Sequence, residues 1–248
     1  MADQEFEAER KDNIAAIAGD AVFNAQTREW VARAQELKYS YNFDWMGLPI
    51  IQYPQDIIAM QELIWSIKPD LIIETGIARG GSVIFYASLL ELNALCGGPA
   101  DSEVVAIDID IRAPNRAAIE AHPMAKRVHM IQGSSIDSAV ISEVHKRAGG
   151  RKKVLVCLDS NHTHDHVLKE LHAYAPLVSV GSYVVVFDTL IEDLPEAAIG
   201  DRPWGMGNSP RTAMRAYLSQ VPEFEIDADR HTKLQVTVAK NGYLKRIR

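Results

Sequence analysis

Residues 70–82 read Asp-Leu-Ile-Ile-Glu-Thr-Gly-Ile-Ala-Arg-Gly-Gly-Ser. This is a buried strand, a glycine turn and the start of a helix in close succession. Leu71 to Ile73 are apolar and β-prone, and Pro69 stops the helix before them. Gly76, Gly80 and Gly81 let the backbone turn sharply and approach a ligand without a Cβ in the way. Ser82 is placed to cap the following helix, whose free N–H groups favour an anionic or hydrogen-bond-accepting ligand. Such a turn is the nucleotide-binding corner of a doubly wound α/β sheet.

Two cofactor readings fit the turn. Gly76-x-Ala78-x-x-Gly81 follows the dinucleotide fingerprint with alanine at its second glycine, which points to an NAD-dependent oxidoreductase. Glu74-x-Gly76-x-x-x-Gly80 follows the first motif of S-adenosylmethionine (SAM) methyltransferases. Glu74 decides between them. A carboxylate at the strand end suits a cofactor carrying an ammonium and a sulfonium, and it repels a pyrophosphate. The next apolar run, Glu103 to Asp108, also ends in an acid, and Asp110 follows. A carboxylate there can accept both ribose hydroxyls. Asp108 comes 27 residues after Gly81, with the loop 96–101 taking up the excess over the compact motif.

The chain has 248 residues, enough for one α/β domain with additions. Hydrophobic residues make up 47% and charged residues 24%, so it can bury a core and present a polar surface. A net charge of −7 without a basic block argues against nucleic acid as a partner. The acidic start carries no basic and apolar signal pattern, and the longest apolar runs are strand-sized, so no membrane span is expected. Two cysteines, Cys96 and Cys157, make no disulfide framework, and Cys157 reads as a buried small hydrophobe. The expectation is a cytoplasmic globular enzyme acting on a small molecule.

Residues 1–47 read as a helical arm and 48–248 as the main domain. Within the arm, residues to about 45 read as polar helix. Trp30, Val31, Leu37, Tyr39, Tyr41 and Trp45 give the arm more apolar surface than a solvated tail needs. It is expected to cover the active site or to pack on another subunit, making a homo-oligomer. A helix over 55–67 follows. Strands near 70–74, 103–108, 127–131, 153–158 and 182–187 alternate with helices near 82–94, 114–121, 137–147 and 164–174. This order means βαβ units and a parallel sheet. A helix near 210–219 starts at Pro210, and the runs 224–226 and 234–238 read as an antiparallel hairpin. The predicted fold is α/β: a mostly parallel, Rossmann-like sheet with a C-terminal antiparallel hairpin.

Ligands of such sheets lie outside the carboxyl ends of the strands, where two more strands end in Asp159 and Asp188. The pair is able to share a hard divalent cation such as Mg²⁺ with waters and a substrate hydroxyl. Asn161 to His166 contain three alternating histidines, much like the metal loop of metallo-β-lactamase-type hydrolases, but one residue short. Metal-ligand geometry does not tolerate that slip. His162, nearest the strand tip, is the candidate general base.

The motifs at 73–82, Leu-Asp-Ser-x-His at 158–162, His-Val-Leu-x-Glu-Leu at 166–171 and Tyr-Ala-Pro-Leu-Val-Ser-x-Gly-Ser-Tyr at 174–183 resemble the cephalosporin hydroxylase family. That family also takes in rhamnosyl O-methyltransferase-like proteins. The resemblance runs from about Trp45 to Tyr243. It implies a Rossmann-like fold, SAM binding, often a divalent cation, and usually O-methyl transfer. Glu74, Gly76 and Gly80 match its cofactor motif, Asp108 its ribose acid and Asp159 its first metal ligand. Its remaining ligands are a Glu-Asp pair, which here is Phe187-Asp188. Phenylalanine cannot coordinate a metal, so weak or absent metal binding is expected, with His162 carrying more of the catalysis. The lost acid also supports an alternative, a non-catalytic SAM-binding partner subunit. Ser135 and Asp137, after the third strand, are expected beside adenine. The loops 40–54 and 190–209 are expected to line the acceptor pocket.

Overall fold

Seven strands form one sheet in the order β5-β4-β3-β6-β7-β9-β8 in the computed structural model, which describes residues 3–248. The strands are β3 (Leu71–Thr75), β4 (Glu103–Asp108), β5 (Val128–Gln132), β6 (Val154–Leu158), β7 (Tyr183–Val186), β8 (Phe224–Ile226) and β9 (Tyr243–Arg246). The first five are parallel to one another, and β9 pairs antiparallel with both β7 and β8. Every residue of β3 and β6 is buried because helices cover both faces of the sheet. Along these strands alternate residues feed two cores. Ile72, Ala106 and Cys157 pack on the side of α3 (Pro54–Ile67) and α4 (Gly81–Leu95). Ile73, Val105 and Val156 pack on the side of α6 (Ser138–Ala148), α7 (His164–Tyr174) and α9 (Pro210–Leu218). A short helix, α5 (Ala113–Glu120), follows β4. The strand and helix positions expected for this alternating core hold to within a residue or two.

The N-terminal segment departs from a single helix. Asp3 caps α1 (Gln4–Gly19) and Asp20 caps α2 (Ala21–Glu36), each side chain accepting a backbone N–H of the first turn. Helical structure stops at Glu36. After a 3₁₀ turn at Tyr39–Asn42, the short strands β1 (Phe43–Trp45) and β2 (Leu48–Ile50) form a hairpin through Met46 and Gly47, both at positive φ. The hairpin is fastened to α4. Trp45 stacks edge-on against Phe85 at 4.7 Å and donates its indole N–H to Ser88. Val31, Tyr39 and Trp45 thus pack on the chain's own core, while Trp30, Leu37 and Tyr41 remain exposed.

The C-terminal hairpin also differs from the sequence reading. The partner of β8 is β9, not residues 234–238. Asp227 accepts the N–H of Arg230 and starts a helix, α10 (Ala228–Leu234), inside the expected turn. The apolar run that follows looks like a strand but gives its polar groups to a side chain. The Val238 N–H and the Thr237 hydroxyl both go to Asp56 of α3. Residues 235–240 are therefore a strap across α3. A further helix, α8 (Glu196–Ile199), is a single turn in the long segment after β7. Among the described residues, no helix is long and apolar enough to cross a membrane.

Register positions the site. Thr75 pairs with Ile107 on one side and Leu158 on the other, and Leu158 pairs with Val186. The hydrogen bonding then runs one step past the strands: Gly76 N–H to Ile107 O, Asp159 N–H to Thr75 O and Phe187 N–H to Leu158 O. Gly76, Asp108, Asp159 and Asp188 therefore emerge side by side at one edge of the sheet.

Candidate active site

The glycine turn is shaped by what crosses it. Gly76 sits at φ +97°, and a Cβ there would lie 2.1 Å from the Asp159 carbonyl oxygen, so only glycine fits. Helix α4 begins at Gly81 with Gly80 as its N-cap and no side-chain cap. Ser82 lies two positions past the N-cap, contrary to expectation. Its hydroxyl favours the Glu74 carboxylate instead. Glu74 is 2% exposed, and burial pushes its carboxyl up to about 8, with the Asp108 charge adding to the effect. Its Oε2 has no hydrogen-bond partner.

Asp108 is occupied by the turn itself. Its Oδ2 accepts the N–H groups of Ile77 (2.8 Å) and Ala78 (3.2 Å), and its Oδ1 accepts that of Asp110 (3.0 Å). Beside it a groove of about 360 Å³ runs past Ala78, Asp108, Asp110 and Asn115. Ser135 is buried, with its hydroxyl 2.9 Å from His166 Nε2. Asp137 is exposed at the start of α6, without a capping hydrogen bond.

Asp159, His162 and Asp188 come together. One donor atom from each lies within 4.8 Å of the others. His162 Nε2 is 3.1 Å from Asp188 Oδ2, and the His162 ring meets Trp204 edge-on at 4.8 Å. Burial holds the Asp159 carboxyl well above the usual carboxylate range, and the charges of Asp188, Glu74, Glu170 and Asp56 push it further. The other histidines of the 161–166 run go elsewhere. His164 Nδ1 is 2.8 Å from the Thr212 hydroxyl, and His166 lies among Ser135, Ser160 and Glu170. A three-histidine metal loop is therefore absent among the described residues. Phe187 is 2% exposed and packs as an apolar wall with Phe85 and Tyr86.

Asp188 has φ +53°, a strained conformation for a non-glycine residue, and its neighbours hold it there. The Thr189 hydroxyl donates to the Val238 and Lys240 carbonyls, and the Leu190 N–H donates to the Val238 carbonyl. Asp56, fully buried, anchors this strap through Thr237, Val238 and the Tyr243 hydroxyl.

The three groups open onto a cleft of about 560 Å³. Ser40, Tyr41, Ile51 and Gln52 line one side, and Leu190, Ile191, Leu194 and Trp204 the other, so both expected loops contribute. Gln35, Glu36 and Lys38 at the end of the arm complete the rim. Cleft and groove share Ile51 and Ala78, which makes them two halves of one depression. A further cavity of about 220 Å³ between α2 and α10 meets the cleft at Leu190 and Leu194. Sequence reasoning missed Gln52, whose Nε2 donates to Asp159 Oδ2 at 3.2 Å, and also Trp204 and Asp56. Asp56 carried a signal, an acid in the same turn of a helix as the apolar Ile57 and Ile58, whereas Gln52 lay in an irregular stretch with none.

A mostly parallel sheet with a glycine turn, strand-end acids and a divided cleft defines a Rossmann-like SAM-dependent methyltransferase. The family model described as Rhamnosyl O-methyltransferase/CmcI matches residues 37–247. The chain belongs to that family and, with it, to the SAM-dependent O-methyltransferases. It is 30% identical over 207 residues to a rhamnosyl O-methyltransferase of Mycobacterium tuberculosis, covering 82% of this chain and 77% of that one. Its identity to the Mycobacterium leprae counterpart is 28% over 204 residues, 82% of each chain. Among solved structures, a CmcI complex with Mg and SAM superposes with a TM-score of 0.57 at 17% identity, covering 84% and 78%. TomG of Streptomyces achromogenes with SAM gives 0.52 at 18%, covering 79% and 78%. The solved structures bear out the fold.

Burial pushes the Asp56 carboxyl up to about 6, so the folded state holds its proton more tightly than the unfolded chain. The stability this contributes is fully present below the ordinary aspartate value and is lost as pH rises through about 6. Asp56→Asn keeps a neutral group at every pH. Denaturant unfolding from about pH 4 to 7 should show wild type losing up to about 3 kcal/mol relative to the variant. Parallel curves would mean that Asp56 is not the source.

Proposed function

We propose that the chain transfers the SAM methyl group to a hydroxyl of a small polar acceptor, a sugar or a polar natural product. The carrying observation is the His162–Asp188 pair, 3.1 Å apart, in the wall of a cleft that adjoins the glycine-turn groove. The relatives named as rhamnosyl O-methyltransferases favour a sugar. SAM supplies an electrophilic methyl group on a sulfonium. Glu74 faces the cationic end of the cofactor, Ser82 orients Glu74, and Gly76 and Gly80 keep the turn open. Asp108 sets the turn's N–H groups and, with Asp110, borders the ribose. The loop carrying Ser135 and Asp137 closes the adenine end.

Asp188 lies beside the His162 ring and favours its protonated form. The imidazole takes the acceptor's hydroxyl proton as the oxygen attacks the methyl carbon in line, and Asp188 offsets the imidazolium charge. Positioning and exclusion of water supply most of the remaining rate. Asp159, Asp188 and His162 also fit a divalent cation, because their donor atoms converge and their acids repel one another until a cation arrives. Such an ion would act as a Lewis acid on the hydroxyl. Phe187 offers it no ligand, so binding is weak and an Mg²⁺ would keep most of its waters.

Methyl transfer measured with and without chelator, in wild type and His162→Ala, tests this assignment. The expected result is a loss of about a hundredfold or more in the variant and a small effect of chelator. Abolition by chelator with His162→Ala active would make the metal the centre of catalysis.

Glu74 lies near neutrality in the ligand-free protein because burial raises it to about 8. A bound cation favours its carboxylate, so SAM binding at about pH 7 should release up to about one proton. Calorimetry in buffers of different ionisation enthalpy reads this directly. Glu74→Gln should release none and bind SAM about tenfold more weakly.

The exposed Val22, Phe23, Trp30 and Leu37 fit burial against a second copy of the chain. Light scattering should give an oligomer for wild type and a smaller species for Val22→Glu/Trp30→Glu. A monomeric wild type would refute this role of the arm.

A further inference from the structure

Asp188 meets His162 from a backbone conformation that is uncommon for a residue with a Cβ, φ +53° and ψ +21°. Such a conformation persists only where the surroundings over-determine it. Here the surroundings lead back to a single peptide unit. The Val238 carbonyl accepts the Thr189 hydroxyl at 3.3 Å and the Leu190 N–H at 3.2 Å, and so holds the two residues that follow Asp188. The Thr189 hydroxyl also donates to the Lys240 carbonyl at 2.7 Å. On its other side, Val238 donates its N–H to Asp56 at 2.9 Å. Residues 235–241 belong to no strand, and both ends of the strap, Gln235 and Asn241, stand at positive φ. No strand ladder fixes the strap, so Asp56 does, also taking the Thr237 and Tyr243 hydroxyls. Asp56 is fully buried and does not line the cleft.

We infer that Asp56 is a positioning residue for methyl transfer: it holds the strap that holds Asp188 against His162. This inference rests on the reading of His162 and Asp188 as the pair that takes the acceptor's proton. Without the Asp56 carboxylate, three buried donors lose their acceptor, and the strap has to shift to find others. Thr189 and Leu190 then lose the fixed carbonyl that sets them. Asp188 relaxes to negative φ, and its carboxylate swings away from the imidazole. The chain of contacts runs Asp56, Val238, Thr189, Asp188, His162, and each link is a hydrogen bond, a peptide bond or an ion pair. A residue that touches neither cofactor nor acceptor thus governs the geometry of the proton-taking group.

The experiment is imidazole nitrogen NMR of the histidine-labelled, S-adenosylhomocysteine-bound protein, with His162→Gln identifying the His162 signals. Asp188→Asn sets the shift that loss of the carboxylate produces. Asp56→Leu should move the His162 signals in the same direction, and no further in the Asp188→Asn background. A merely structural role would disturb both backgrounds alike. Asp56→Asn should restore the wild-type signals, because its oxygen accepts the Val238 N–H while the two hydroxyls turn to accept from its NH₂. Kinetics follow the same cycle with p-nitrophenyl α-L-rhamnopyranoside as acceptor. Asp56→Leu should lower kcat about tenfold to a hundredfold with little change in KM, and by no more than about twofold in the Asp188→Asn background. If this glycoside is not turned over, the signals decide alone. Unmoved His162 signals in Asp56→Leu, or an equal loss of kcat in both backgrounds, overturns the inference and leaves the reading of the pair intact. An unimpaired kcat in Asp188→Asn overturns that reading and the inference with it. Melting temperature and S-adenosylhomocysteine affinity report whether Asp56→Leu folds. If it does not, Thr189→Val, which breaks the same chain next to Asp188, takes its place in every comparison.

Discussion

The hydrogen-bond ladder that runs one residue past β3, β6 and β7 is the constraint on which the rest of this molecule depends. It aligns Gly76, Asp159 and Phe187 in adjacent strands and leaves Asp188 as the first residue free of the sheet. The same ladder lays the Asp159 carbonyl over Gly76, so the glycine turn and the end of β6 require each other. A slip of one residue in β6 would turn Asp159 to the opposite face, and one in β7 would do the same to Asp188. The chemistry at the edge is thus set by backbone pairing before any side chain interacts.

Electrostatics follows from that alignment. Strand ends crowd Glu74, Asp159 and Asp188 together, and Asp56 comes up behind them from α3. Burial raises Glu74, Asp159 and Asp56, and each feels at least one of the others or Asp108. A cluster like this is uncomfortable without a positive partner, and a sulfonium-bearing cofactor is one. The protein accepts part of the burden through backbone donors, with Asp108 accepting the N–H groups of Ile77, Ala78 and Asp110.

What the sequence made legible was the part governed by local pattern. Apolar runs ending in acids gave the strands, their glycine and proline boundaries gave the turns, and both pointed to the correct edge of the sheet. Its failures were tertiary. Ser82 reads as a cap, but the helix starts one residue earlier and the hydroxyl serves Glu74. Residues 234–238 read as a strand because they alternate, yet a buried acid from a distant helix takes their donors. Gln52 had no local signature at all, since its position beside Asp159 depends on a hairpin folding over α4.

That hairpin has a consequence for the helix start it covers. The Pro49 carbonyl presses so closely on Gly81 that a Cβ there would lie 2.3 Å from it. Here the backbone of β2 lies directly on the first turn of α4, so residue 81 can carry no side chain. Any larger residue there would push β2 away and, with it, the neighbouring Gln52 from its contact with Asp159.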